Sequence, residues 1–193
     1  MEIDSHAVDR ADMERLRAGQ DTALNDLMER HAAPVFHFLC RMVGNEDDAN
    51  DLALETFARV FRARASFRLN EKFSTWLYTI AANLARNHFR WRARHPTISL
   101  ETAADDPEQS LENILPAKDA APNEQILAAE RAVAVRAEVS RLPEDLREAL
   151  VLCEWEERSL AETAAILETT PKAVESRLYR ARKQLRERLR GWL

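Results

Sequence analysis

This sequence predicts an all-α fold: two small helical domains joined by an acidic flexible linker, the C-terminal domain carrying a helix-turn-helix. Three observations carry that prediction. The chain of 193 residues holds only three glycines and is rich in Ala, Leu, Arg and Glu, with no credible run of alternating β-branched residues. Its apolar residues recur at helical spacing. Its charge is arranged in blocks. The formal net charge is −5, yet residues 59–95 carry nine Lys/Arg against Glu71 alone. Residues 101–130 then carry eight acids against Lys118, and residues 172–190 carry eight Lys/Arg against Glu175 and Glu187.

The first domain is expected over residues 8–95. Asp21 can cap a helix carrying Leu24, Leu27, Met28 and His31 on one side. Pro34 starts a new turn or kinks that helix, Val35, Phe38, Leu39 and Met42 continue the stripe, and Gly44 stops it. Asp47 or Asp48 caps the next helix, whose inward face is Ala49, Leu52, Ala53, Phe57, Val60 and Phe61. After a loop from Ser66 to Lys72, Ser74 caps a third helix with Trp76, Leu77, Ile80, Ala81 and Leu84 facing the core.

Residues 96–122 form the linker. Pro96, Pro107, Pro116 and the acids leave too little apolar surface to offset the entropy of ordering, so the segment reads as irregular and mobile, with a short helix near Leu111–Leu115. The second domain spans 123–193. Ile126, Leu127, Val133 and Val139 mark one helix, broken at Leu142-Pro143, and Leu146, Ala149, Leu150 and Cys153 mark another. Ser159 and Glu162 form a capping box opening a short helix through Leu167. Thr170 then caps a last helix with Pro171 in its first turn and Val174, Leu178, Ala181, Leu185 and Leu189 on one stripe.

Several function classes lose support. No Gly-rich phosphate loop or nucleophile elbow is present, so an enzyme is the least favoured reading and no catalytic residue is assigned. Cys40 and Cys153 are unclustered and read as small buried hydrophobes, the five His form no ligand motif, and neither metal nor cofactor is expected. No apolar run reaches membrane-spanning length and the N-terminus lacks a signal-peptide core, so the expectation is a cytoplasmic protein without membrane insertion.

The charge blocks point to nucleic acid, because each neutralised phosphate releases condensed counterions, and two basic helices suit two contacts with one long polyanion. In the last helix the buried stripe leaves Lys172, Glu175, Ser176, Tyr179 and Arg180 outward near the N-terminal half that enters a major groove, with Arg177, Arg182 and Lys183 able to reach phosphates. An ordinary amphipathic helix with a solvated basic face is the competing reading. In the third helix Asn83, Asn87, Arg90 and Arg94 share a face. Amides bond base edges, Arg binds phosphate, and the nearby Phe67, Phe73, Trp76, Phe89 and Trp91 suit unstacked bases, though Phe73 and Trp76 also fit a core. Asp48, Asp51 and Glu55 lie on one face of the second helix, where acids repel DNA. That face suits a protein partner, although a solvated face explains the spacing better.

Taken in order, these segments resemble the ECF (extracytoplasmic function) sigma factors of bacterial RNA polymerase. Residues Asp47 to Phe57 resemble the polymerase-clamp motif of that family. Phe73-Ser74-Thr75-Trp76-Leu77 and Ile80-Ala81-Ala82-Asn83 resemble its promoter-melting and −10 helix. Leu142-Pro143 and Ser176 to Arg182 resemble its −35 reading domain. The resemblance implies sigma region 2 over 8–95 and sigma region 4 over 123–193. It implies polymerase contacts at Asp48, Asp51, Leu54 and Glu55. It implies −10 contacts at Phe67, Arg68, Lys72, Asn83, Arg86, Asn87 and Arg90, the loop from Phe67 to Lys72 capturing a flipped base. It implies −35 contacts at Lys172, Glu175, Ser176, Arg177, Tyr179 and Arg180. The implied partners are core RNA polymerase, through its β′ clamp and β flap, promoter DNA, and an anti-sigma factor where one exists. Five positions depart from the family pattern: Leu54 where Gln is frequent, Leu69 and Asn70 in place of a Gly-containing turn, Glu168 where Gly is common, and Glu175 in place of a basic residue. The alternative is a helix-turn-helix regulator that is not a polymerase subunit, disfavoured by the second basic and aromatic helix. A helical scaffold protein is a third reading, separable by salt-sensitive DNA or polymerase binding.

Overall fold

In the computed structural model the described residues are 5–95 and 122–191, all of their regular structure helical. Residues 96–121 of the expected linker, with the short helix expected near Leu111–Leu115, lie outside them, and its last residue, Pro122, opens a helix.

Four helices build the first group: α1 (Ser5–Arg17), α2 (Ala23–Val43), α3 (Glu46–Ala63) and α4 (Phe73–Arg94), with a 3-10 turn over Arg64–Ser66. The sequence reading missed α1. Its inward stripe is Asp9, Asp12, Met13 and Leu16, half of it acidic. Those acids are tolerated because α2 supplies their partners: the guanidinium of Arg30 donates to Asp9 at 3.0 Å and to Asp12 at 2.5 Å, and the His31 ring lies 2.9 Å from Asp9. Burial pushes the Asp9 carboxyl up, but His31 and Arg30 outweigh it and hold the group below its ordinary value.

At Pro34 no break occurs; α2 runs on to Val43. Proline removes only its own bond to the Arg30 carbonyl and stands on the exposed face, where water can take the freed oxygen. On the opposite face Val35, Phe38, Leu39 and Met42 are fully buried, each apolar side chain contributing roughly 1.5–3 kcal/mol. Gly44 ends the helix in the left-handed region (φ 75°), its N–H returning to Cys40 O.

Three expected caps move. Asp21 does not cap α2, because Thr22 is already helical and the backbone bonds of Ala23 to Gln20 and Leu24 to Asp21 close the first turn. Asn45, not Asp47 or Asp48, caps α3: its side-chain oxygen accepts from Asp48 N at 2.8 Å, and both aspartates sit in the first turn, where the helix dipole favours them. Lys72, not Ser74, precedes α4, and the Ser74 hydroxyl instead accepts from Arg158 at 3.3 Å.

The second group is α5 (Pro122–Ser140), α6 (Glu144–Glu154), α7 (Leu160–Ile166) and α8 (Pro171–Arg188). Val139 is buried, but Val133 is 42% exposed and Val135 packs inward in its place. Ser159 and Glu162 form the expected capping box, and Thr170 caps α8 with Pro171 in its first turn. The two groups dock, α2 against α5 and α6 and α4 against α7, and buried apolar side chains of both form one cluster. Arg147 bolts the joint. It is 9% exposed, donates to the carbonyls of Met42 in α2 and of Ser140 and Leu142 at the end of α5, and lies over the Phe89 ring of α4.

Candidate nucleic-acid interface

Helix α4 buries Phe73, Leu77, Tyr78, Ala81, Ala82, Leu84 and Ala85, which turns Asn83, Asn87, Arg90 and Arg94 away from the core. Arg90 donates to the Asn87 side-chain oxygen at 2.5 Å and Arg86 to that of Asn83 at 2.9 Å, so each amide is held by a guanidinium one turn further on. Asn87 and Arg90 are exposed. Arg86 is half-buried and faces the other group, donating to Glu148 of α6 at 2.7 Å.

The loop before α4 divides. Arg68, Asn70, Glu71 and Lys72 are exposed, and the Lys72 ammonium donates to Glu162 of α7 at 2.7 Å. Phe67, expected to meet a strand, is 2% exposed. Its ring packs 5.1 Å from Trp76 and 6.1 Å from Phe73. Burying an aromatic ring gains more than exposing it on a loop, so Phe67 anchors the loop from beneath. Beside it lies an open cleft of about 350 Å³ lined by Arg59, Arg62, Ala63, Ser66, Trp76, Ile80 and Asn83. Trp76 and Ile80, expected in the core, are half-buried and form the apolar wall of this cleft. Arg59 and Arg62 were left out of the sequence-based site. Their spacing opposite the buried Thr56–Val60 face carries the signal, but the neighbourhood of Trp76 appears only once α3 and α4 pack.

On α8 the buried Val174, Leu178 and Ala181 set the register. Lys172, Glu175, Ser176, Tyr179 and Arg180 are all exposed, Tyr179 at 70%. Arg180 and Arg177 lie 3.4 and 3.7 Å from Asp145 of α6, and Arg182 pairs with Glu154. The turn into α8 holds Glu168 at φ 51°.

On α3 the acidic face is less open than its spacing implied. Glu55 accepts from Arg59 at 2.9 Å and from Arg62 at 2.6 Å, and these bonds, Arg59 first, hold its carboxyl below the ordinary value. Asp48 lies 3.4 Å from His88 and 3.5 Å from Arg92 of α4. Asp51 and Leu54 remain exposed, Leu54 at 58%.

Comparison with known proteins meets this geometry segment by segment. Residues 27–95 match Sigma-70 region 2 and residues 132–185 match Sigma-70, region 4. The chain is 34% identical over 185 residues to the RNA polymerase sigma-H factor of Pseudomonas aeruginosa, covering 94% of this chain and 93% of that protein. It is 30% identical over 178 residues to the ECF RNA polymerase sigma factor SigW of Bacillus subtilis, covering 92% and 95%. Among solved structures it is similar in fold to CnrH in complex with the cytosolic domain of CnrY, with a TM-score of 0.69 and 24% identity over 95% of this chain and 98% of that one. It is also similar in fold to the sigma factor RpoE of Bartonella quintana, in complex with the anti-sigma factor NepR. That match has a TM-score of 0.66 and 23% identity over 88% and 98% of the two chains.

Proposed function

The chain belongs to the ECF family of RNA polymerase sigma factors, and from that premise we propose how its surfaces share the work. As a sigma factor it binds core RNA polymerase and directs it to promoter DNA. Residues 8–95 serve as region 2, residues 96–122 as the connecting linker and residues 123–193 as region 4. The protein acts in the cytoplasm as an initiation factor without catalytic residues of its own.

The observation that carries the residue assignment is the pairing on α4. Asn87 and Arg90 are bonded to each other and exposed on the helix whose Trp76, Ile80 and Asn83 line a cleft with Arg59 and Arg62 of α3. Amides and guanidinium groups read or clamp a strand, and an aromatic wall accepts an unstacked base, so this face suits the opened −10 strand. Arg68, Lys72, Asn83 and Arg86 extend it, with Phe67 as support. The exposed row on α8, Lys172, Glu175, Ser176, Tyr179 and Arg180 with Arg177 at its edge, suits the −35 major groove. Glu175 can accept from a cytosine amino group there. On α3, Asp51 and Leu54 present the polymerase contact, with Asp48 and Glu55 shaping it through their arginine partners. The fold is similar to sigma factors solved with anti-sigma partners, and the proposal extends to an anti-sigma factor, where one exists, as a further partner.

In vitro transcription with core polymerase on a promoter library tests the reading. The expected result is promoter-dependent initiation, with Asn87→Ala lowering permanganate-detected −10 melting more than core binding, and Asp51→Arg lowering core binding. Equal melting by Asn87→Ala and wild type removes the −10 assignment; unchanged core binding by Asp51→Arg removes the α3 assignment.

A further inference from the structure

Helix α1 ends against the loop that leads into α4. Arg17, its last residue, is exposed, and its guanidinium donates to the Phe67 carbonyl at 3.3 Å. That carbonyl belongs to the peptide unit joining Phe67 to Arg68, which sets the direction in which residues 68–72 leave the core. The buried Phe67 ring packs on Phe73 and Trp76, which fixes the side chain but leaves the peptide plane free to turn about the Phe67 Cα–C bond. Further along the loop the Glu71 N–H donates to Arg68 O at 2.9 Å, so residues 68–71 turn as a unit once that plane is set.

The donor itself is firmly seated. Met13 and Leu16, just before Arg17 on α1, are fully buried, and Asp9 and Asp12 of the same helix bind Arg30 of α2. Asp9 also binds the His31 ring, whose centroid lies 5.2 Å from that of Phe73, edge to face. Helix α1 thus reaches the loop twice, through a backbone carbonyl and through the aromatic floor beneath it. It does so from outside residues 27–95, the segment that matches Sigma-70 region 2. Among the described residues no carboxylate competes for Arg17, and its charge strengthens the bond to a neutral carbonyl.

We propose that Arg17 is a positioning residue for −10 recognition. By fixing the Phe67 carbonyl it sets where Arg68 and Asn70 stand, and so sharpens the base preference of the loop without touching the strand. The inference rests on the reading of residues 67–72 as a −10 contact. Losing the bond frees one peptide unit, and a single hydrogen bond of this kind corresponds to a factor of about three to ten.

The test is promoter selection with core polymerase and the full chain, the −10 element randomised, over a salt series. Arg17→Ala should lower the ratio of preferred to disfavoured bases at the position the loop reads about three- to tenfold, with core binding and thermal unfolding as in wild type. Arg17→Lys still offers a donor to the carbonyl and should recover part of the preference. An unchanged preference in Arg17→Ala overturns the inference. So does an equal loss on every −10 sequence with a shallower salt dependence, which makes Arg17 a phosphate contact. Arg68→Ala with Asn70→Ala separates the inference from the reading beneath it. If that pair also leaves the preference unchanged, the −10 assignment of the loop fails; a shift there without one in Arg17→Ala removes the role of Arg17 alone.

Discussion

The two helices proposed to face DNA are supported in opposite ways. The cations of α8 find their carboxylates within their own group: Arg177 and Arg180 at Asp145, Arg182 at Glu154, Arg188 at Glu138. Two cations around α4 find theirs across the joint, Arg86 at Glu148 and Lys72 at Glu162, while Arg92 and Arg68 find Asp48 and Glu71 within the first group. A partner within one rigid unit stays close whether the groups are docked or apart, so it can only orient or moderate the arginine. A partner across the joint depends on how the two groups dock. The proposed −35 face is therefore supported from within one unit, whereas two cations of the proposed −10 face are supported from the other unit.

Arg147 spans both kinds of support, so its removal is the largest break in this contrast. Its guanidinium serves Ser140 and Leu142 within the second group and Met42 in the first. Arg147→Ala strands the buried carbonyls of Met42 and Leu142 and the part-buried carbonyl of Ser140 at once. It should cost about 3 kcal/mol in urea unfolding of the second group. Arg147→Lys, with a point charge in place of a fork, should recover only part of the loss.

Arg180→Ala sharpens the contrast at α8. A bidentate base contact predicts a loss of about 1–3 kcal/mol for the preferred −35 duplex, with other sequences less affected. A phosphate contact predicts a uniform loss and a shallower salt dependence. Filter binding across a salt series separates the two.

What the sequence made legible follows from which partners are local. The helix stripes of α2, α3 and α8 as far as Leu185, the Leu77, Ala81 and Leu84 part of the α4 stripe, the Gly44 stop, the Ser159–Glu162 box and the Thr170 cap all depend on residues within one or two turns, and the structure has each of them, while Trp76 and Ile80 stand half-buried at the cleft. Helix α1 was illegible because Asp9 and Asp12 read as solvated until Arg30 and His31 are placed beside them. Phe67 was misread because a loop aromatic looks free until Phe73 and Trp76 close over it. Of the site, the α8 row was readable from its stripe. The α4 cations were also readable, but their acidic partners lie 62 and 90 residues away and belong to docking rather than to pattern.

Glu162 offers a smaller effect that reports on the joint directly. Its bond from Lys72, then that from Ser159, holds its carboxyl down at about 2, against an ordinary value of 4.5. A carboxyl depressed in the folded protein contributes stability that is complete above the ordinary value and fades as pH falls from 4.5 towards 2. Lys72→Ala should raise the Glu162 titration midpoint, read by NMR of the side-chain carboxyl, but leave it below 4.5 because the capping box persists. The same midpoint in Lys72→Ala and wild type would mean that the joint contributes nothing to this carboxylate.

The smallest effect concerns the turn that aims α8. Glu168 adopts φ 51° between α7 and α8, and its side chain is exposed. A non-glycine residue there places Cβ too close to the following carbonyl, a strain of roughly 1–2 kcal/mol. Glycine relieves the strain but adds freedom to the unfolded chain, which takes back part of the gain. Glu168→Gly should therefore stabilise the second group by less than about 1 kcal/mol in urea unfolding. The turn geometry is set by its backbone bonds, Glu168 N to Ala165 O and Thr169 N to Ala164 O, which glycine retains. The −35 sequence preference of Glu168→Gly should then equal that of wild type. A shifted preference would show that the glutamate, and not only the turn, sets the angle at which α8 enters the groove.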